Sequence, residues 1–199
     1  MRMIGITGGA GAGKSEILRH LRENPRFLVR EADRIAEDLI KNGEPLYHKV
    51  IEVLGEDIVD SDGNINRPEM AKRIFGNEEL KEKINSLIHP AVNDFVLKDR
   101  KEAEISGKYD IYFLEAALLI ECGYGEICDE LWYIYADEDV RRRRLKESRG
   151  YSDEKTDGIL KSQLKDSDFR KNCTQVIDNT GDIKKSLEVI DRLISGYTC

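Results

Sequence analysis

The sequence predicts an α/β protein: a five-stranded, mainly parallel sheet flanked by helices, with a helical block inserted early in the chain. Three observations carry this. Short apolar runs near 2–7, 26–29, 109–120, 130–137 and 175–181 alternate with helical patterns, the alternation that builds a parallel sheet wrapped by helices. The stretch from Arg34 to about Ser106 is helical in pattern almost throughout, far longer than the dozen or so residues a crossover needs. A length of 199 residues favours one domain elaborated by subdomains over two independent domains.

Taken in order, residues 2–7 form a buried strand, and after the glycine-rich "GGAGAGKS" the spacing of Ile17, Leu18 and Leu21 predicts a helix. "RFLV" is a second strand. Its polar exit "READ" leaves Glu31 and Asp33 near the carboxyl end, where open α/β sheets bind ligands. Within 34–106, Gly43, Gly55, "DSDGN" and Gly76 punctuate the helices. "NRPE" at 66–69 has the form of a capping box, with Asn66 as cap, Pro68 in the first turn and Glu69 reaching back. "DSDGN" at 60–64 resembles the opening of a calcium loop, but Ala71 stands where the twelfth-position glutamate belongs, so a polar turn is expected. "YDIYFLEAALLI", "ELWYIYAD" and "QVIDNTG" supply three more strands, and Ile183, Leu187, Ile190 and Ile194 predict a closing helix.

Composition narrows the function. The chain is 40% hydrophobic and 36% charged, with no apolar run approaching the roughly eighteen residues of a membrane span. "MRMIGIT" is too short an apolar start for a signal peptide, so a cytoplasmic protein is expected. A net charge of -7 argues against a broad nucleic-acid surface. An anionic substrate then needs local positive charge, and Arg141 to Arg144, with Arg149 beyond, is such a concentration. Cys122, Cys128, Cys173 and Cys199 form no CxxC pair, and His20, His48 and His89 lie far apart, so neither a zinc site nor disulfides are expected.

Gly8, four residues, then Gly13, Lys14 and Ser15 satisfy G-x-x-x-x-G-K-S/T, the P-loop. Its placement between an apolar strand and a helix is the context the motif requires. Backbone N–H groups and the helix dipole wrap the phosphates, Lys14 reaches the β and γ phosphates, and Ser15 ligates magnesium. The expected ATP-binding set is Gly9, Gly11, Ala12, Gly13, Lys14, Ser15 and Glu16, on a P-loop NTPase core.

Further residues carry a resemblance: "TGGAGAGKS", "EADRIAEDL" with Asp33, "RIFGN", "INSLIHP" ending at His89 and Pro90, "LLIE" ending at Glu121, "RL" to "SRGYS" across 144–152, Gln163 and "VIDNTG". In this order, over nearly the whole chain, they resemble the dephospho-coenzyme A kinases. The resemblance implies transfer of the γ-phosphoryl of ATP, with magnesium, to the 3'-hydroxyl of dephospho-coenzyme A. It also implies a nucleotide-binding core (1–33, 107–140 and 171–199), a helical acceptor-binding subdomain (34–106) and a lid (141–170).

By the same resemblance Asp33, Lys14 and Arg144 are the catalytic residues, Arg144 and Arg149 close over the triphosphate, and Asp33, His89 and Glu115 meet the acceptor. Residue by residue, alternatives stand beside these roles. Asp33 directly precedes "RIAEDLI" and suits a helix cap. His89 precedes a proline and suits a helix end. Glu115 and Glu121 suit metal contact or capping. Four consecutive arginines cannot share one helix face, since successive residues lie about 100° apart. Arg141, Arg142 and Arg143 are therefore expected on a solvated or salt-bridged face.

Three positions depart from the family pattern: Ala117 where a proline is common, Cys173 and Thr174 before the last strand, and Glu16 where a threonine is frequent. Two rival functions stay open, a P-loop kinase of a nucleoside or nucleoside monophosphate and a nucleotide switch. The chain has no guanine-reading NKxD motif.

Overall fold

In the computed structural model, which describes residues 1–197, the strands β1 (Arg2–Thr7), β2 (Phe27–Glu31), β3 (Ile111–Glu115), β4 (Glu130–Tyr135) and β5 (Gln175–Asp178) form one sheet. Their order is β2-β3-β1-β4-β5. β1 runs parallel to β3, with Arg2 opposite Ile111 and Ile6 opposite Glu115, and parallel to β4, with Ile4 opposite Glu130. β5 adds to β4, also in parallel. The strand leading into the glycine loop is thus central, and every residue from Met3 to Thr7 is buried. A strand covered on both faces reads as a continuous apolar run without alternation.

The third strand ends earlier than its apolar sequence predicts: "YDIYFLEAALLI" pairs only over Ile111–Glu115, and the chain then turns. The cause is its partner. Ala116 donates its N–H to the carbonyl of Ile6 at 3.2 Å, and after Thr7 the central strand leaves the sheet for the glycine loop, so no ladder remains.

Nine α-helices are present among the described residues: α1 (Lys14–Arg22), α2 (Ala32–Leu39), α3 (Tyr47–Leu54), α4 (Arg67–Ile74), α5 (Glu78–Ser106), α6 (Glu138–Arg149), α7 (Asp153–Lys161), α8 (Asp166–Asn172) and α9 (Ile183–Ser195). The chain forms two compact units. One holds Met1–Arg30 and the chain from Ala103 onward. Its core joins Ile4, Ile6, Ile17, Leu21, Trp132, Ile134 and Ile190, and Phe113 meets Phe27 and Trp132 edge-on at 5.6 and 5.9 Å. Helices α6 to α8 belong to this unit, with Phe169 of α8 stacked on Tyr133 of β4 at 4.5 Å.

The other unit, Glu31–Glu102, closes a core of its own from Ile40, Leu46, Tyr47, Val50, Leu54, Ile58, Ile65 and Ile84. "DSDGN" is a polar turn: the Asp60 carboxylate accepts from the N–H groups of Asp62 and Asn64 at 3.0 and 2.9 Å, and the Tyr47 hydroxyl donates to the Gly63 carbonyl at 2.6 Å. Asn66 caps α4 by accepting from the N–H of Glu69 at 3.2 Å.

Two helix-end alternatives are corrected. α2 begins at Ala32 with Glu31 at its cap position, so Asp33 lies inside the first turn and is not the cap. His89 and Pro90 do not end a helix either, because both lie inside α5, which is 29 residues long. Proline costs a helix one backbone hydrogen bond. Buried Ile84 before it and Val92 and Val96 after it hold the segment in place by packing, which outweighs local propensity.

Candidate active site

The loop from Gly8 to Gly13 leaves the end of β1 and enters α1, whose first two residues are Lys14 and Ser15. Gly13 occupies the cap position with φ +92°, a left-handed conformation in which L side chains are strained. A Cβ there would also run into the amide of Asn179. The N-terminus of α1 has no side-chain cap, so its positive end faces the loop's interior.

Lys14 donates to the Gly8 carbonyl at 2.6 Å, and its ammonium stands 3.6 Å from the carboxylate of Glu115. Glu115 is the last residue of β3 and is buried. Burying a charge is tolerable only beside an opposite one, and this carboxylate and ammonium meet that condition together. Thr7, immediately before the loop, has a fully buried hydroxyl with no hydrogen-bond partner, the sole such side-chain atom among the described residues.

Asn179, 2% exposed, braces the loop from β5's side. Its amide donates to the Ala12 carbonyl at 2.7 Å, and its carbonyl accepts from Ser186 of α9 at 3.0 Å. Arg144 lies over the same place, donating to the backbone carbonyl of Asn179 at 2.9 Å and, more weakly, to those of Gly11 and Ala12 at 3.5 and 3.4 Å. Glu16, in the first turn of α1, points outward and pairs with Arg19.

The arginine run divides as helical geometry requires, with one correction. Arg142 pairs with Glu138 at 2.8 Å and with Asp157, and Arg143 is exposed, both as expected. Arg141 is not on that outer face. It is half-buried, its guanidinium hydrogen-bonded to the Ala10 carbonyl at 2.9 Å and to the side-chain carbonyl of Gln163. Three residues apart on a helix is nearly one turn, so Arg141 and Arg144 share the face turned to the loop. Burial pushes the Arg141 guanidinium down from its ordinary pKa. Arg149, by contrast, is exposed and lies over the ring of Tyr151 at 6.0 Å.

One unit therefore brings together Gly9, Gly11, Ala12, Gly13, Lys14, Ser15, Glu115 and Arg144. Asp33 and His89 belong to the other unit. Burial pushes the His89 imidazole below its usual pKa. Arg141 and Asn179 escaped role assignment from the sequence. For Arg141 a usable signal existed, its three-residue spacing from Arg144; for Asn179 the signal was its place in "VIDNTG", one of the segments that carry the resemblance. Cys122, Cys128 and Cys173 are free thiols, burial raises that of Cys173 to about 11, and Cys199 lies outside the described residues.

A glycine loop of this construction, fed by the central strand of a parallel sheet and overlaid by arginines of a later helix, places the chain among the P-loop kinases. The family model for dephospho-CoA kinase matches residues 2–185. A dephospho-CoA kinase of Carboxydothermus hydrogenoformans is 37% identical over 188 residues, 94% of this chain and 90% of the relative. Among solved structures, TT1252 from Thermus thermophilus superposes with a TM-score of 0.84 at 25% identity, covering 100% of this chain and 98% of the other. A dephospho-CoA kinase from Campylobacter jejuni shares the fold, with a TM-score of 0.72 at 20% identity over the full length of both. The chain belongs to the dephospho-CoA kinase family. No helix among the described residues is long and apolar enough to cross a membrane.

Proposed function

We propose that the protein transfers the γ-phosphoryl group of ATP to the 3'-hydroxyl of dephospho-coenzyme A, giving coenzyme A and ADP. The observation that carries the chemistry is the Lys14 ammonium held between the Gly8 carbonyl and Glu115 at the mouth of the loop. Incoming β and γ phosphates compete for that ammonium, so the loop and Lys14 position the triphosphate and screen its charge. Phosphoryl transfer asks mainly for such positioning and electrostatic stabilisation.

Arg144, whose hydrogen-bonding partners are backbone carbonyls only, supplies positive charge without a carboxylate to cancel it. Magnesium would be held by the Ser15 hydroxyl together with phosphate oxygens, the kind of donor set magnesium prefers. The ion supplies charge neutralisation on the transferring group. The unpartnered Thr7 hydroxyl beside the loop is a further oxygen donor that suits a hydrated cation.

On the acceptor side, Asp33 acts as base or orienter of the attacking hydroxyl. It borders a cavity of about 240 Å³ whose walls include Ile40, Met70, Ile74 and Ile88. A carboxylate at the rim of an apolar recess suits an acceptor that carries a hydroxyl and a long, weakly polar arm. A compact nucleoside has no such arm to place there.

The test is ADP release by the purified protein in magnesium ATP, with dephospho-coenzyme A or a panel of nucleosides, and mass measurement of the product. Release that requires dephospho-coenzyme A, with a product one phosphoryl heavier, supports the reading. Phosphorylation of a nucleoside instead would overturn the acceptor assignment while leaving the P-loop kinase class intact.

A further inference from the structure

Arg141, Gln163 and Ala10 form a closed triangle of hydrogen bonds at the tip of the phosphate loop. The Arg141 guanidinium donates to the Ala10 carbonyl at 2.9 Å and to the Gln163 side-chain carbonyl, and that same carbonyl accepts from the Ala10 N–H at 3.2 Å. Both polar groups of one loop peptide position are thereby taken by two side chains from after β4. Gln163 sits between α7 and α8, so it ties that whole segment to the loop.

The loop is shaped to receive this contact. A Cβ on Gly9 would enter the Arg141 guanidinium, with Nη1 at 2.9 Å, and one on Gly11 would press on the Arg141 backbone carbonyl at 2.6 Å. Gly11 has a positive φ of +79° and needs glycine in any case, whereas Gly9 has no left-handed φ. Backbone conformation therefore does not require glycine at position 9. The seat of Arg141 does, because a Cβ at position 9 would displace the guanidinium that fills that space.

Electrostatics point the same way. Arg142 next door is neutralised by Glu138 and Asp157, but both hydrogen-bonding partners of Arg141 are neutral carbonyls. Its positive charge is kept, half-buried, at the tip of a loop built for an anion. Arg141 and Gln163 also line a cavity of about 560 Å³, together with Tyr133, Glu138, Lys165 and Asp166.

We propose that Arg141 and Gln163 are positioning residues, a latch that fixes the segment between α6 and α8 on the phosphate loop during phosphoryl transfer, and that Gly9 is glycine to seat Arg141. This rests on the kinase reading above for its effect on turnover, but not for its effect on nucleotide affinity.

The experiment is a set of variants, Arg141→Ala, Gln163→Met, Gly9→Ala and their pairs, assayed for ATP affinity by equilibrium dialysis and for turnover of dephospho-coenzyme A. Each single change is expected to lower kcat roughly ten- to a hundred-fold, the scale of a misplaced catalytic group, with the acceptor KM unchanged. In the Arg141→Ala background, both Gly9→Ala and Gln163→Met should cost nothing further, because the contact each serves is already gone.

Full, independent losses in the pairs would overturn the latch, and a Gly9→Ala penalty that persists without Arg141 would return that glycine to the nucleotide. Circular dichroism melts identify any variant that is unfolded, and Arg141→Lys then replaces Arg141→Ala. If the wild type binds ATP but ignores dephospho-coenzyme A, the acceptor reading fails, and the latch is still decided by the ATP affinities of the same pairs.

Discussion

Replacing Asn179 by alanine removes the brace between the phosphate loop and the end of β5, and its cost can be worked from the bonds it breaks. The Ala12 carbonyl loses a 2.7 Å donor and keeps only the 3.4 Å approach of Arg144. Ser186 loses its bond to the Asn179 carbonyl but keeps the Asp178 carbonyl at 2.8 Å, so its hydroxyl stays satisfied. One nearly orphaned buried carbonyl costs about 1–3 kcal/mol. With the lost packing of the amide, a destabilisation of about 2–3 kcal/mol is expected. Urea unfolding followed by Trp132, the chain's single tryptophan and fully buried in the sheet, reports on this unit. At a slope of roughly 2 kcal/mol per molar the midpoint should fall by about 1–1.5 M. Asn179→Asp should fall further, since it sets a carboxylate against the Ala12 carbonyl. A midpoint shift below about 0.2 M for Asn179→Ala, well outside that slope's range, would refute the reasoning.

Asp33→Asn should lower kcat for dephospho-coenzyme A by about 10²–10⁴-fold, the usual yield of a positioned base, while the KM for ATP holds; an unchanged kcat in the ADP-release assay removes Asp33 from the mechanism. Gly13→Ala meets both a left-handed φ and the Asn179 amide, so ATP binding by equilibrium dialysis should be lost and the urea midpoint lowered as well. Burial holds His89 below its ordinary pKa, so the unfolded state takes up a proton first as pH falls. The stability it confers is present above about 6.5 and is lost as pH drops through the lower folded value. His89→Gln should narrow the gap between urea midpoints measured at pH 7.5 and pH 5.5, and an unaltered gap would exclude this histidine as its source.

The glycine loop and its lysine were legible because close backbone approach to phosphate leaves few residue choices, and "GGAGAGKS" has no competing structural explanation of equal economy. The polar turn at 60–64 and the Asn66 cap were legible for a similar reason: each is held by bonds within a few residues. What failed to show was set at a distance. The end of β3 depends on where β1 turns away, the continuation of α5 past Pro90 on packing by Ile84, Val92 and Val96, and the seat of Arg141 on a glutamine 22 residues later. No local pattern records such partners.

The position of β1 also bears on how the site comes into being during synthesis. Its two partners are written more than a hundred residues later, at Ile111–Glu115 and Glu130–Tyr135, and such long-range pairing is slow to form. The block Glu31–Glu102, with a core of its own, is complete before either partner has left the ribosome. A nascent chain halted before residue 130 would carry every residue of the phosphate loop and a folded helical block, yet lack the strand that flanks Gly8. Chains of that length should fail to be retained on immobilised ATP, and retention should begin only once β4 and the Asn179 brace have emerged.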